Sequence, residues 1–545
     1  MIQRYRSYAA SPEGASARSG VYSALKNWAL LLCLFAPSVW LIATIPPLWR
    51  DLDAYNQLVR PPLIATSWGH GPAYCYAAKV PLFLGEQLER WRGIAVARSE
   101  PGLSKLTDTG VWLLIIAQHL AFCAAGLYFI FAISKFFWIR LALALTWASN
   151  ALFYTFAHCV GSETLSLILL VLVVGKGLHL IGGRGEPRWK DWYLFAIGLW
   201  LCLLSRHVNL LLILLLPAAF LLSWAWNRAS SFLAAGDRPR RWRRRLGARA
   251  FRQAVIALAI GFACVAVANS LTQGLARKTK LRPEHRIGFT FLWRLHFLDT
   301  LPPPARVALL EKVATRAHSK EARQLVTLLG QMHEERADLG ARSFTHRAIP
   351  ILFPSEAVAP WRKLDRALNQ MAFAFLLPPT PEHLHAARTD FVAALKRPVI
   401  EISDQLFDTT AYFFPNRSEM PGCAGLVTFR DASAETIKRL PSQHLYFQLW
   451  RGLTYNKALL IWSLCLSAFL VIARQKKVKV AAISAFGITM VAVGLLMVAS
   501  TCLLGEFIPR YALPMWQLLL LSLYIFVGAT ADLCATPGFK RLARP

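Results

Sequence analysis

Apolar residues along this chain gather into long runs, and ten of the runs approach the ~20 residues that a helix needs to cross a hydrocarbon core. They lie near 28–48, 111–133, 139–158, 162–181, 189–205, 208–226, 253–271, 457–473, 480–503 and 510–530. The pattern predicts an all-α polytopic membrane protein with about ten transmembrane helices. Two polar stretches are too long to be simple connectors. One, 49–110, forms a long first loop with an amphipathic piece suited to the interface. The other, 272–456, is long enough for a domain. Within it, PARVALLEKVATRAH (304–318), KEARQLVTLLGQMHEERAD (320–338) and LHAARTDFVAALKR (384–397) repeat apolar residues at three- and four-residue spacing, so the insert between the seventh and eighth spans reads as mainly helical.

Charge gives these elements sides. The chain carries 61 Lys+Arg against 30 Asp+Glu, but the basic residues concentrate in alternate short loops. These hold Lys135 and Arg140; Arg184, Arg188 and Lys190; RPRRWRRRLGAR at 238–249; RQKKVK at 474–479; and FKRLAR at 539–544. Loops rich in Lys and Arg stay in the cytoplasm, so the excess is a topology signal that also attracts anionic membrane lipids, and no nucleic-acid partner is implied. Arg4, Arg6, Arg18 and Lys26 place the N-terminus on the same side, ahead of an uncleaved signal anchor. Parity requires the run from Trp189 to Trp226 to be two spans that turn outside at Ser205-Arg206-His207; a single span would put two basic loops on opposite faces. The resulting division is a cytoplasmic tail 1–27, a membrane module 28–271 of about seven spans, an extracytoplasmic (periplasmic) helical domain 272–456, a module 457–530 of about three spans and a cytoplasmic tail 531–545. The expected location is the bacterial inner membrane, with both termini cytoplasmic.

A mean hydropathy of +0.40 with 17% charged residues excludes an ordinary soluble protein. The ten cysteines include no CxxC pair or Cys/His cluster at metal-ligand spacing, and only Cys75 and Cys423 fall in the long outer loops, where a disulfide is open to them.

Sorting polar residues by side brings several to one face. Asp51 and Asp53 follow the first span; His158 and Glu163 bracket the turn between the third and fourth; Arg206 and His207 follow the fifth; Glu506 and Arg510 precede the last. Four outer turns thus offer acids, imidazoles and guanidinium groups near one membrane depth. Each has a plainer alternative: solvated loop acids beside Arg50, a helix-start charge for Glu163, snorkelling anchors for the arginines.

The order and side of these motifs resemble the GT-C class of integral membrane glycosyltransferases, which includes protein O-mannosyltransferases and the lipid A aminoarabinose transferase. The matching stretches are Asp51-Leu52-Asp53-Ala54-Tyr55; His70-Gly71-Pro72-Ala73-Tyr74; Gly161-Ser162-Glu163-Thr164; Leu204-Ser205-Arg206-His207-Val208-Asn209; and Glu506 through Arg510-Tyr511-Ala512-Leu513-Pro514. The chain departs from the family in reading D-L-D where relatives have D-E or D-D; alignment on Tyr55 favours Asp51. The domain at 272–456 matches no soluble domain of the family.

The resemblance implies an inverting glycosyltransferase that moves a sugar from a polyprenyl-phosphate donor to a glycan, lipid or protein acceptor on the outer face. In that scheme Asp51 is the base, with Asp53 its partner or a metal or acceptor ligand, and Arg206 and Arg510 bind the donor phosphate. Tyr55, His70, His158, Glu163, His207, Glu506 and Tyr511 shape the substrate site. No cofactor is required; a divalent Mg or Mn on Asp51 or Asp53 is compatible with the chemistry but not demanded by it. The alternatives are a polymerase or ligase of lipid-linked glycans and, further off, a transporter or a non-catalytic scaffold.

Overall fold

The computed structural model describes residues 12–49, 52–59, 72–94, 106–182, 187–233, 240–279, 287–335, 341–355, 361–399, 423, 425–428, 446, 450, 452–476, 480–505 and 508–536. Eight helical segments are long and apolar enough to cross a membrane: Leu25–Thr44, Asp108–Ile133, Ser162–Gly182, His207–Ala229, Arg249–Leu275, Tyr455–Gln475, Ala481–Leu504 and Pro509–Ala535. The chain is an all-α multi-pass membrane protein.

Helix α1 (Pro12–Thr44) ends where Pro46 and Pro47 remove two successive N–H donors, and the next residues form a short strand β1 (Leu48–Trp49). Beyond it lie α2 (Leu52–Val59) and the amphipathic α3 (Pro72–Trp91). Helix α4 (Asp108–Ile133) is capped by Thr107, whose hydroxyl accepts from the Gly110 amide at 3.0 Å. Helix α3 crosses α4 closely, because a Cβ on Gly85 would lie 2.2 Å from Gly110 Cα.

The third predicted span departs from a single helix. It divides into α5 (Phe137–Ala148) and α6 (Ala151–Ala157) at Ser149-Asn150. Asn150 caps α6 by accepting from Phe153 N at 3.3 Å. Two carbonyls freed at the break find distant donors: Tyr446 OH reaches Ala148 O at 2.9 Å and Trp450 Nε1 reaches Ser149 O at 2.7 Å. Protein side chains thus replace helical partners lost at the break. Strand β2 (Cys159–Val160) then pairs in parallel with β1, Leu48 opposite Cys159 and Trp49 opposite Val160.

Helix α7 (Ser162–Gly182) returns through the bundle and α8 (Trp189–Ser205) rises beside it with 17 residues. The expected turn is present: Arg206 is extended, and a 3₁₀ segment His207–Leu214 leads into α9 (Leu215–Leu233). The Trp192 and Phe220 rings, 6.2 Å apart, mark the two arms running antiparallel. Helix α10 (Arg240–Thr279) completes the first module.

The insert has its own core. It comprises α11 (Ile287–Arg294), a 3₁₀ segment Leu295–Thr300, α12 (Pro303–Arg316), α13 (Lys320–Glu334), α14 (Ala341–Leu352), α15 (Trp361–Leu376) and α16 (Pro381–Lys396). Phe291, Phe297, Leu329, Leu368 and Phe375 are buried at its centre. Gly288 lets α11 approach α15, since a Cβ there would meet the Leu368 carbonyl carbon at 2.5 Å. Arg294, buried on α11, pairs with Asp390 on α16.

Three helices close the bundle: α17 (Tyr455–Gln475), α18 (Ala481–Leu504) and α19 (Leu513–Ala535), the last two joined through a 3₁₀ turn Pro509–Ala512. The insert leans on the end of α18, with Leu503 and Leu504 packed against its core. His383 of α16 is buried there between Phe291 and Phe297. Burial first, and then the nearby charge of Arg294, pushes its pKa from 6.5 down to about 4. The folded state therefore resists protonation while the unfolded chain accepts it. Stability from this contact is present above about 6.5 and is lost as pH falls toward about 4. Hydrogen exchange in residues 381–396 is expected to accelerate over that interval and not above it.

Contacts at the helix ends sort the bundle into two rims. At one, Ser134 donates to Asp532, Arg140 Nε donates to Ser134 O at 2.7 Å, and Lys176 pairs with Asp191 at 2.6 Å. At the other meet the turns that follow α1, α6, α8 and α18. The insert docks on this second rim, where Gly505 lies against Thr290 of α11.

Cys75 and Cys423, open to a disulfide by sequence, are both buried and are not bonded to each other. Cys423 sits in a cluster with Trp49, Tyr55 and Tyr74, and the adjoining segment is tied to α4: Asp108 accepts from Val427 N, Thr428 N and Thr428 Oγ1 at 2.9, 2.8 and 2.7 Å.

Candidate functional site

The candidate site grows from the α8 turn. Asn209, fully buried, donates from Nδ2 to Cys202 O at 2.8 Å and to Ser166 Oγ at 2.9 Å, tying the start of the 3₁₀ segment to α8 and to α7. That brace aims Arg206 at the first turn of α7. Its guanidinium meets Glu163 at 2.7 Å; the Arg206 side chain is 11% exposed and the carboxylate is fully enclosed. The same guanidinium lies over the Tyr511 ring, 5.8 Å from its centroid. Arg510 lies 5.7 Å from that centroid as well. Two arginines from turns 304 positions apart in sequence thus share one aromatic ring, and a quadrupole negative at its face favours both. Gln517 fixes the height of this turn by donating to Leu167 O of α7 at 2.7 Å.

His158 belongs to a different arrangement. Its Nε2 lies 3.0 Å from Ile45 O and 3.1 Å from Pro46 O, both acceptors, so that nitrogen carries the proton. Nδ1 then accepts from His119 Nε2 at 3.1 Å, and His119 Nδ1 accepts from the Ser38 hydroxyl at 2.9 Å. The ring is fully buried and supplies a donor to the Ile45 and Pro46 carbonyls, which lie past the end of α1 and have no helical partner. Expected as a group shaping the substrate site, His158 is found holding the chain at the exit of α1.

Neighbouring contacts set the same turn from a second side. Gln118 of α4 donates to Ala157 O at 3.2 Å and Cys159 O at 3.0 Å, and accepts from Tyr74 OH at 3.2 Å, while Tyr74 OH accepts from Gly161 N at 3.0 Å. Tyr55, on α2, is buried in the cluster with Tyr74 and Trp49. His207 is exposed at the start of the 3₁₀ segment.

Asp51, His70 and Glu506 lie outside the described residues, and Asp53 is described only as a helical position of α2. Trp49, two positions before Asp51 in the sequence, pairs with Val160, three positions before Glu163. The structure therefore brings together Glu163, Arg206, Arg510 and Tyr511, and builds a buried support for the turn beside them from His158, His119, Gln118, Tyr74 and Asn209. Of these supports, Gln118 and His119 announce themselves as an adjacent polar pair inside the apolar run 111–133. Among the described residues, no group of three or more His, Cys, Asp or Glu is placed to hold a metal ion.

Chemically, the rim gathers two guanidinium groups beside one aromatic ring, with Arg206 paired to a buried carboxylate. Comparison with protein-family models and with curated proteins finds no match for this sequence.

Proposed function

We propose that this protein is an inverting membrane glycosyltransferase of GT-C type that takes a sugar from a polyprenyl-phosphate donor. The observation that carries this is the Arg206–Tyr511–Arg510 grouping, which sets two guanidinium groups where one lipid phosphate would leave. In the reaction the acceptor O–H gives its proton to a first-loop carboxylate, Asp51, as the acceptor oxygen bonds to the anomeric carbon. The bond from that carbon to the phosphate oxygen breaks, and the phosphate departs with one further negative charge, which the arginines stabilise. Base and leaving group stand on opposite faces of the sugar, as inversion requires.

The topology proposed with it has ten spans: the eight long apolar segments, α8 and the broken α5–α6 pair. The rim that bears the insert and the arginines is outer, and both termini are cytoplasmic in a bacterial inner membrane. Support comes from the two sets of helix ends, which alternate along the chain as that topology demands, and from the basic residues Arg140, Lys176 and Arg188 at the opposite rim.

Arg510→Lys tests the reading. Lysine keeps the charge but gives up the paired donors of the guanidinium, so turnover of a polyprenyl-phosphate sugar in nanodiscs is expected to fall by roughly ten- to a hundred-fold. Unchanged turnover removes Arg510 from the phosphate. Wild-type protein that transfers no sugar but moves solute across sealed vesicles favours a transporter instead.

A further inference from the structure

Among the described residues of the first loop, helix α3 presents an exposed outward face. Its inward face is fixed at both ends. Near its C-terminus Glu89 Oε1 accepts from Thr109 N at 2.9 Å, at the rim end of α4. Near its N-terminus Tyr74 OH reaches Gln118 at 3.2 Å. Between those ties α3 advances about 22 Å while α4 covers about 13 Å, at 1.5 Å per residue. The helix is therefore inclined, and its first turns lie about 13 Å below the rim tip of α4.

The composition of the outward face changes along that incline. From Pro72 to Leu84 the exposed positions are Tyr76, Ala77, Val80, Phe83 and Leu84, with no charge among them. From Gln87 onward they turn mixed, with Arg90 and Trp91, and Arg90 pairs with Glu86 at 2.6 Å. The one lysine in the submerged half, Lys79, turns inward to donate to Leu58 O. At the same depth α4 exposes Ile116 and Leu120, and α4 is a membrane-crossing helix, so the apolar face of α3 continues a lipid-facing surface. A switch from purely apolar to aromatic and charged positions is the profile of a segment that leaves hydrocarbon for the headgroup layer.

We propose that the N-terminal half of α3 is embedded in the bilayer, with Tyr76, Val80, Phe83 and Leu84 in contact with lipid acyl chains and Arg90 and Trp91 at the headgroups. The first loop then contains a membrane-inserted element in addition to the spans. Its inner face holds Tyr74 on the Gly161 amide, so acyl chains lie one helix diameter from the turn that leads to Glu163.

The test uses full-length protein in its native membrane with the photo-crosslinking residue p-benzoylphenylalanine at Val80, Phe83, Gln87 or Leu120, followed by intact-protein mass spectrometry. Benzophenone inserts into neighbouring C–H bonds, so Val80 and Phe83 are expected to gain a phospholipid mass at the level of Leu120, and Gln87 several-fold less. Crosslinked dimers from Val80 or Phe83 would assign the face to a second copy, and adducts to another polypeptide would assign it to a partner; either overturns the proposal. Lipid adducts at Leu120 with none at Val80, Phe83 or a further probe at Leu84 also overturn it. The outcome is independent of whether the protein transfers sugar.

Discussion

Replacing Asp51 by asparagine is expected to slow sugar transfer by about 10²–10⁴-fold while leaving donor affinity within a small factor of wild type. The substitution keeps size and hydrogen-bonding capacity but removes the basic oxygen, so a residue acting only as a loop spacer would tolerate it. Single-turnover measurements with saturating donor separate the chemical step from binding. The parallel variant Asp53→Asn distinguishes the two acids of the D-L-D motif: a full loss there with near-normal Asp51→Asn would move the base to Asp53. Normal turnover in both variants would end the proposed mechanism.

Glu163→Ala is the second large effect. The carboxylate is fully enclosed and its partner Arg206 is 11% exposed, so removing the acid leaves a guanidinium largely cut off from water. Breaking one side of a buried ion pair costs about 3–5 kcal/mol, because the surviving charge loses its compensation. Thermal unfolding in nanodiscs is expected to show a marked drop in midpoint for Glu163→Ala and a smaller one for Glu163→Gln, which still accepts a hydrogen bond. The double variant Glu163→Ala/Arg206→Ala checks the cause. Strong coupling, with the double variant more stable than the single one, supports the ion pair; additive losses would mean that Glu163 acts through packing.

Most of the fold follows from local signals. Apolar runs of sufficient length located the eight long helices, and parity of the basic loops placed a turn at Arg206, where the backbone does become extended. Three of the insert's six described helices, α12, α13 and α16, are visible from three- and four-residue spacing because their apolar faces pack within the same segment; α11, α14 and α15 are not read from it. The break at Ser149-Asn150 was not visible, since it depends on Tyr446 and Trp450, about three hundred residues away. Nothing in the surrounding apolar sequence records that those donors exist.

At the site, the sequence places His158 and Glu163 at one turn, but the partners of His158 are not legible there. Helix α1 stops before Pro46 and Pro47, and the carbonyls of Ile45 and Pro46, past its last turn, meet the buried imidazole. Glu163 and Arg206 were each recognised, yet their mutual 2.7 Å contact depends on the register between α7 and the α8 turn, which Asn209 sets through Ser166. Register between helices is a packing outcome and leaves no periodic trace in either segment.

Helix α8 carries a consequence for the lipid itself. Its 17 residues measure about 25 Å, against a hydrocarbon thickness of about 30 Å. On the proposed topology, with the exposed Trp189 and Tyr193 at one interface, the helix stops short of the other and leaves Arg206 below it. Local thinning is one way such a mismatch is relieved. In the proposed reaction, thinning there would lower headgroup phosphates toward Arg206.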